Sequence, residues 1–221
     1  MPRAAFLSLF GRGYLDAVEL RGLSQLANKV EFRAGKTIFS EGDPANAVFG
    51  LSKGLVRLYK SLPDGRRQVL AFALPGDLLG MPLRERHTCS ADAIGEVAAW
   101  RFSRIEFSNF AQTSPSMLRL LNDVATRDLE MAQELLLLVC QASAEERVTA
   151  FLVNWRNRLA SLSTPSSILA LPMRRQDIAD FLGLKIETVS RTFAKLHDKG
   201  TIRLVPKGVV LRDDWRIPRA R

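Results

Sequence analysis

The stretch LPMRRQDIADFLGLKIETVSRTFAKLHDKG, residues 171–200, decides how the rest of the chain is interpreted. It predicts two short helices joined by a tight turn, because apolar residues recur at helical spacing on both sides of Gly183, a residue suited to ending a helix. The apolar positions of the second helix face inward, which leaves Glu187, Ser190 and Arg191 on the exposed side. A helix-turn-helix of this kind places its second helix in the major groove of DNA. The alternative is an ordinary helical hairpin with a charged, solvated face.

Positive charge is concentrated in the same part of the chain. The 221 residues carry 32 Lys and Arg against 23 Asp and Glu, a net charge of +9. Residues 141–221 account for +7 of this charge, whereas residues 1–140 contribute +2. A basic block that coincides with a helix-turn-helix fits double-stranded DNA, since neutralising phosphates releases counterions. A membrane partner is disfavoured, because the block lacks an amphipathic Lys/Arg helix with Trp or Phe on its apolar face.

The cysteine content and the hydropathy pattern both indicate a reducing compartment. Cys89 and Cys140 are the two cysteines of the chain, too few for a disulfide framework. The N-terminal segment lacks the apolar core of a signal peptide, and the chain has no apolar run of about 18 residues. We therefore expect a cytoplasmic protein. Each cysteine is interpreted as structural, with a redox switch as the alternative.

Residues 30–102 predict a small antiparallel barrel or jelly roll. Short β-type runs alternate there with turn sequences such as Pro63-Asp64-Gly65. Lys53-Gly54 is predicted as a further turn between two strands. We expect residues 1–112 to form this domain.

Residues 113–140 predict one long helix with two apolar stripes. One stripe can pack on the barrel, and the other then needs a partner helix. We interpret the helix as half of a two-stranded coiled coil; the alternative is a helix buried between two domains of one chain. The residues assigned to the dimer interface are Met117, Leu121, Val124, Met131, Leu135 and Leu138. The second stripe consists of Leu118, Ala125, Leu129, Ala132, Leu136 and Val139.

Residues 141–221 predict a winged helix-turn-helix. The segment 141–161 is expected to be a helix whose first turn begins near Ser143. After the helix-turn-helix, the β-type runs 201–205 and 209–212 predict a hairpin, the wing. The chain is therefore predicted to be α+β, with a β-roll, a long dimerisation helix and a C-terminal winged helix-turn-helix.

This order of parts resembles the Crp/Fnr family of bacterial transcription regulators, which join a cyclic-nucleotide-type β-roll to a dimerisation helix and a winged helix. The resemblance covers nearly the whole chain. Within the helix-turn-helix, the spacing Glu187-x-x-Ser190-Arg191 is similar to that of the Fnr and FixK branch. The Crp branch carries glycine where Ser190 stands and arginine where Ile186 stands. The other segments that carry the resemblance are 39–43, 74–77 and 177–179.

The resemblance implies a homodimer that binds a palindromic promoter operator with half-sites like TTGA, and RNA polymerase as a further partner. It implies that Arg191 reads guanine, that Glu187 reads the complementary strand, and that Ser190 lies beside them. Arginine can pair bidentately with guanine O6 and N7, and glutamate can accept from cytosine N4. The residues expected to contact the DNA backbone are Arg174, Arg175, Lys185, Lys195 and Lys207.

Departures from the family bear on the effector. Two cysteines cannot supply the four ligands of an Fnr-type iron–sulfur cluster. Cys89-Ser90-Ala91 stands where cyclic-nucleotide binders carry Arg-Ser-Ala, and the lost arginine removes a charged phosphate partner worth about 1.5–3 kcal/mol. Haem is disfavoured, because Gly80-Met81-Pro82 offers no histidine ligand. The pattern is most similar to FixK-like regulators, and we expect neither a cofactor nor a metal.

Arg174 and Lys185 occupy positions where the family often has a Ser or Thr that caps a helix. Each lost cap costs about 0.5–2 kcal/mol, while each cation stands beside a helix N-terminus that can approach phosphates. We expect these residues to exchange stability for DNA affinity. The alternative function is a ligand- or redox-gated regulator whose β-roll binds a small molecule other than cyclic AMP. No catalytic triad or phosphate-binding loop occurs in the sequence, so an enzyme is not expected.

Overall fold

The computed structural model describes residues 10, 14–81, 85–162 and 167–212. It divides the chain into two compact units, Met1–Leu129 and Glu130–Arg221. The division lies within the long helix, which extends over Pro115–Gln141, whereas the sequence predicts residues 113–140.

A β-roll makes up most of the first unit. Its elements are α1 (Ala17–Gln25), β1 (Asn28–Phe32), β2 (Thr37–Phe39), β3 (Ala47–Ser61), β4 (Arg67–Ala73), β5 (Leu78–Leu79), β6 (Ser90–Ser103), α2 (Arg104–Thr113) and the first part of α3 (Pro115–Gln141). The strands form an antiparallel sheet in the order β1-β6-β3-β4, in which β2 also pairs with β6 and β5 also pairs with β3. This arrangement confirms the predicted roll.

The predicted turn at Lys53-Gly54 is wrong, because strand β3 continues through it. The register of β3 against β6 shifts on both sides of Lys53, which marks a bulge. Gly54 has φ +91°, and a Cβ added there would lie 2.3 Å from the carbonyl oxygen of Glu96. The glycine therefore permits a close approach of two strands, and no larger residue fits at this position.

Two clusters of buried side chains stabilise the first unit. One consists of small residues of the roll packed around larger side chains such as Phe39, Phe49 and Leu51. The other brings helices onto the roll and includes Leu23 of α1 and Met117 of α3. The first turns of α3 are thus part of the core of this unit.

This packing corrects part of the predicted dimer interface. Met117 is fully buried, Val124 is 9% exposed, and Leu121 is partly buried against the same cluster. Met117 and Val124 therefore have almost no surface left for a second subunit, whereas Leu121 keeps part of its surface exposed and its place in the interface stays a prediction. The other three assigned residues, which are half-buried, are Met131, Leu135 and Leu138. Five residues of the second stripe are exposed, namely Leu118, Ala125, Leu129, Ala132 and Leu136; we call these five residues the outer stripe.

The second unit contains the rest of α3 and the winged helix. Its further elements are α4 (Ala144–Ala160), β7 (Leu169–Ala170), α5 (Arg175–Leu182), α6 (Ile186–Asp198), β8 (Ile202–Val205) and β9 (Gly208–Leu211). The strands β8 and β9 confirm the predicted wing hairpin, and β7 extends it to a sheet of order β7-β9-β8. A two-residue strand is too short to show an alternating pattern, which is why β7 was not predicted.

Helix α4 begins where the sequence indicates. Ser143 Oγ accepts from the backbone N–H of Glu146 at 3.3 Å, and Glu146 Oε2 accepts from the backbone N–H of Ser143 at 2.7 Å. This reciprocal capping box satisfies two backbone donors at the start of the helix. Among the described helices, none is both long enough and apolar enough to cross a membrane.

Candidate nucleic-acid interface

Helices α5 and α6 form the predicted helix-turn-helix. Gly183 ends α5 in the left-handed conformation, with φ +64°, and Leu184 N–H donates to the carbonyl of Ala179 at 3.0 Å. Glycine is suited to this position because it has no Cβ to oppose a positive φ. The residues that hold the two helices together are all buried and are Ile178, Ala179, Leu182, Val189, Phe193 and Leu196.

The residues predicted to read bases lie on the solvent-exposed face of α6. Glu187, Ser190 and Arg191 are all exposed, as is Ala194 one turn further on. Because the opposite face of the helix is fully buried, this face is the surface of α6 that a DNA groove can reach. The predicted placement of the three residues is confirmed; their contacts with bases stay a prediction.

Both helix N-termini lack a side-chain cap, as the sequence predicts. Arg174 is the N-cap residue of α5 and Lys185 that of α6, and neither side chain makes a capping hydrogen bond. The carboxylate of Asp177 accepts from the backbone N–H of Arg174 at 2.9 Å, which satisfies one donor at this terminus. Arg174 and Lys185 are exposed, so both cations are free to approach phosphates beside the helix N-termini.

Arg175, also predicted as a backbone contact, is half-buried. Its guanidinium carbon lies 3.4 Å from the centroid of the Phe193 ring, a cation–π contact between α5 and α6. Burial lowers the pKa of this arginine, although a guanidinium stays charged at neutral pH. Through this contact Arg175 helps to hold α5 against α6. Its contact with a DNA phosphate stays a prediction.

Lys195 forms an ion pair that the sequence did not predict. Its Nζ lies 2.7 Å from Oε2 of Glu145, and Lys199 pairs with the other oxygen of the same carboxylate. Fifty residues separate Glu145 from Lys195, and no sequence pattern links positions so far apart. This carboxylate is charged, because hydrogen bonds from Lys195 and then from Lys199 lower its pKa.

Arg147 is a second residue that the sequence analysis missed. Its Nη1 donates to the carbonyl of Leu182 at 3.2 Å, and its Nε donates to the carbonyl of Ala142 at 2.9 Å. Carbonyl groups at the end of a helix have no partner within the helix. Arg147 therefore connects the start of α4 to the end of α5 and helps to position the turn before α6.

Lys207 lies in the two-residue turn of the wing. Among the residues that the structure describes, Lys207 is the one non-glycine residue with a positive φ, at +59°. This conformation is strained for a residue with a Cβ. Its carbonyl accepts from Leu171 N–H at 2.9 Å, and the following residue, Gly208, is so close to β7 that an added Cβ would lie 2.5 Å from the carbonyl oxygen of Leu169. The turn is thus held from both sides, with the lysine side chain exposed.

The roll contains a buried ion pair that the sequence analysis did not single out. Arg57 Nη2 lies 2.9 Å from Asp92 Oδ2, with both side chains less than 15% exposed. Thr37 Oγ1 donates to the other Asp92 oxygen at 3.0 Å. The pair joins β3, β6 and β2 within the first unit.

The structure favours a packing role for Cys89. This residue is half-buried, and burial raises the pKa of its thiol, which disfavours the reactive thiolate. Cys140, near the end of α3, is exposed, and its redox role stays a prediction. His87 is buried and stacks on Phe39 with 3.9 Å between ring centroids, while burial lowers its pKa. Within the described ranges no group of three or more His, Cys, Asp or Glu is placed to hold a metal ion.

Comparison with known families yields two matches. Residues 29–114 match the cyclic nucleotide-binding domain, and residues 146–215 match the Crp-like helix-turn-helix domain. The first match covers the roll, and the second covers α4, the helix-turn-helix and the wing.

Individual proteins are similar over most of the chain. The nitrogen fixation regulation protein FixK of Bradyrhizobium diazoefficiens is 49% identical over 203 residues, which cover 92% of this chain and 86% of that protein. The transcriptional activatory protein AadR of Rhodopseudomonas palustris is 50% identical over 204 residues, 92% of this chain and 85% of that protein. The structure of FixK2 from Bradyrhizobium japonicum matches with a TM-score of 0.78 and 35% identity, covering 85% of this chain and 93% of that chain.

A cyclic-nucleotide-type roll joined through a long helix to a winged helix with an exposed, basic recognition face defines a DNA-binding transcription regulator. The chain belongs to the FixK-like branch of the Crp/Fnr family.

Proposed function

We propose that this regulator binds, as a homodimer, a palindromic operator whose half-sites resemble TTGA, and that α6 reads each half-site. The observation that carries the proposal is the exposed face of α6, on which Glu187, Ser190 and Arg191 stand together while the opposite face is buried. Contact with RNA polymerase and a cytoplasmic location belong to the same proposal, because the target is promoter DNA.

The side chains of this face suit the bases of a TTGA-like half-site. Arg191 donates two hydrogen bonds to O6 and N7 of the guanine. Glu187, one helical turn before it, accepts from the N4 amino group of a cytosine on the complementary strand. Ser190 contributes a short hydroxyl that can donate or accept between them. Each good bidentate pair provides about 1–3 kcal/mol of discrimination against the wrong base.

Cations around this face would contact the DNA backbone. Arg174 and Lys185 are the exposed N-cap residues of the two helices, and Lys207 stands at the tip of the wing. Lys195 is available when its ion pair opens, and Arg175 is restrained by its contact with Phe193. Such contacts set the position and orientation of the protein without reading sequence.

The outer stripe of α3 is the dimer interface in this proposal. Leu129 and Leu136 are 59% and 62% exposed, and Leu118 is 49% exposed. The stripe recurs at spacings of seven, four, three and four residues, which suits a two-stranded coiled coil. Asn122 completes the spacing between Leu118 and Ala125, and a single asparagine in such a seam specifies register and a two-stranded state.

Cyclic AMP is not part of the proposal. Asp77 stands where cyclic-nucleotide binders carry the glutamate for the ribose, and its Oδ2 accepts from the backbone N–H of Leu74 at 2.8 Å. Cys89 stands where those proteins carry the phosphate-binding arginine. The roll therefore carries neither that glutamate nor that arginine at these two positions.

The test is the binding of the purified protein to a TTGA-type palindrome and to a duplex with scrambled half-sites, measured by fluorescence anisotropy at several salt concentrations. We expect Arg191→Ala to weaken binding to the palindrome by about 10-fold or more and to leave binding to the scrambled duplex less affected. The matched control is Arg33→Ala, which removes an exposed arginine of the roll. An Arg191→Ala variant that discriminates between the two duplexes as well as the wild type would contradict the proposal.

A further inference from the structure

Glu145, in the first turn of α4, bridges Lys195 of α6 and Lys199, the C-cap residue of the same helix. Its Oε2 lies 2.7 Å from Lys195 Nζ, and its Oε1 pairs with Lys199 Nζ. The neighbouring Glu146 has a different task, because its carboxylate completes the capping box with Ser143. Glu145 is therefore the carboxylate of this turn that is directed at α6.

The two lysines belong to the same ridge as the predicted base-reading residues. Glu187, Arg191 and Lys195 follow one another at intervals of four residues along one side of α6, and Lys199 at its C-cap continues the interval. The side chains of Lys195 and Lys199 keep 60% and 50% of their surface exposed, so a phosphate can reach either ammonium group. Glu145 thus holds the two cations that stand directly beyond the base-reading residues.

We propose that Glu145 limits the affinity of the protein for DNA, because its carboxylate competes with DNA phosphates for Lys195 and Lys199. Sequence-independent affinity for DNA comes almost entirely from phosphate neutralisation by Lys and Arg. One carboxylate shared by two ammonium groups reduces the charge of this cluster from +2 to +1. The base contacts of Arg191 and Glu187 do not involve this carboxylate, so the ion pairs weaken binding to the operator and to other sequences by a similar factor.

The exposure of the ion pairs allows this competition. An exposed ion pair is held weakly, because water and salt screen it. A phosphate of a bound duplex can therefore replace the carboxylate at either lysine.

The inference rests on DNA binding by α6, and its test uses the scrambled duplex. We expect Glu145→Gln to raise the affinity for the scrambled duplex by about 5- to 10-fold at low salt and to make the slope of log K against log salt steeper by about 1 to 2, since each additional phosphate contact adds about 0.9. Affinity for the palindrome rises by a similar factor, so the ratio of the two affinities stays near its wild-type value.

Two controls isolate the proposed mechanism. Glu146→Gln removes the same charge from an adjacent residue that pairs with neither lysine, and it leaves both the slope and the affinity for the scrambled duplex at wild-type values. Adding Lys195→Gln and Lys199→Gln to Glu145→Gln cancels the gain in scrambled-duplex affinity. Circular dichroism melting curves confirm that each variant is folded.

The outcomes separate this inference from the proposed function. If the wild type prefers the palindrome and Arg191→Ala abolishes that preference, but Glu145→Gln leaves the scrambled-duplex slope unchanged, the inference alone is wrong. A Glu146→Gln effect equal to that of Glu145→Gln also overturns the inference, because the change would then reflect net charge. If the wild type shows no preference for the palindrome, the proposed operator is wrong, while a steeper slope for Glu145→Gln still supports the competition.

Discussion

Helices α3 and α6 are both amphipathic, but only one of them could be interpreted correctly from its sequence. Helix α6 has one apolar face, and the structure buries it at Val189, Phe193 and Leu196. Helix α3 has two apolar faces, and the predicted assignment of these faces is reversed at Met117 and Val124, which pack on the roll.

The difference shows what hydrophobic periodicity determines and what it leaves open. A helix with one apolar stripe has one favourable orientation, because rotation would expose that stripe and bury charge. A helix with two stripes of similar hydrophobicity has two such orientations. Contacts with the roll select between them, and those contacts involve residues far away in the chain.

The largest expected effect concerns the exposed face of α3 and tests its assignment to the dimer interface. Leu136 and Leu137 are adjacent and equally exposed, at 62%, but Leu136 belongs to the outer stripe and Leu137 does not. We expect Leu136→Asp to dissociate the dimer, because an unpaired buried carboxylate costs about 3–5 kcal/mol and two-fold symmetry places two of them in the interface. Light scattering after size-exclusion chromatography measures the mass.

Leu137→Asp is the matched control for this prediction and should leave the dimer intact. The assignment of the outer stripe is wrong if the two variants dissociate equally, or if Leu136→Asp stays dimeric at micromolar concentration. An intact Leu137→Asp dimer also excludes a general effect of new negative charge on α3.

The next effect tests the buried face of the same helix. We expect Met117→Ala to lower the free energy of unfolding of the roll by about 2–5 kcal/mol, because it leaves a cavity at a fully buried site. Urea unfolding measured in the Leu136→Asp background removes any contribution from dimerisation. Leu118→Ala, at a site that is 49% exposed, should cost less than about 0.5 kcal/mol in that background. Equal losses for the two variants would contradict the assignment of the faces.

The smallest expected effect concerns the uncapped N-terminus of α6. Lys185→Ser introduces a side-chain cap that Lys185 lacks, and we expect it to raise the free energy of unfolding of the winged helix by about 0.5–2 kcal/mol. It should also reduce the salt slope of DNA binding by about 1. Lys185→Ala removes the cation without adding a cap. It should therefore reduce the salt slope as much as Lys185→Ser does, but without the gain in stability. Equal stabilities of the two variants would show that no cap has formed.

The sequence predicted most of the secondary structure, and its errors have local physical causes. The glycine at position 54 predicts a turn, whereas in the structure it lies beside a bulge of β3. Strand β6 is so close there that a Cβ added to Gly54 would lie 2.3 Å from a carbonyl oxygen of that strand. Strand β7 has two residues, too few for a periodic signal. By contrast, the cap at Ser143 and the left-handed Gly183 involve only neighbouring residues, and both were predicted correctly.

The same division applies to the candidate site. The exposed positions of Glu187, Ser190 and Arg191 follow from the period of one helix and could be predicted. The bridge from Glu145 to Lys195 depends on the packing of α4 against α6, which no local pattern indicates.

The sequence by itself therefore determined the order of the main elements, the cap at Ser143, the helix end at Gly183, the single apolar face of α6 and the family of the protein. These features depend on side-chain period and backbone preference over a few residues. Only the tertiary structure decided which stripe of α3 is buried, which lysines are held by Glu145 and how Arg175 braces Phe193. Those choices depend on contacts between residues distant in the chain, and such contacts form when the elements pack.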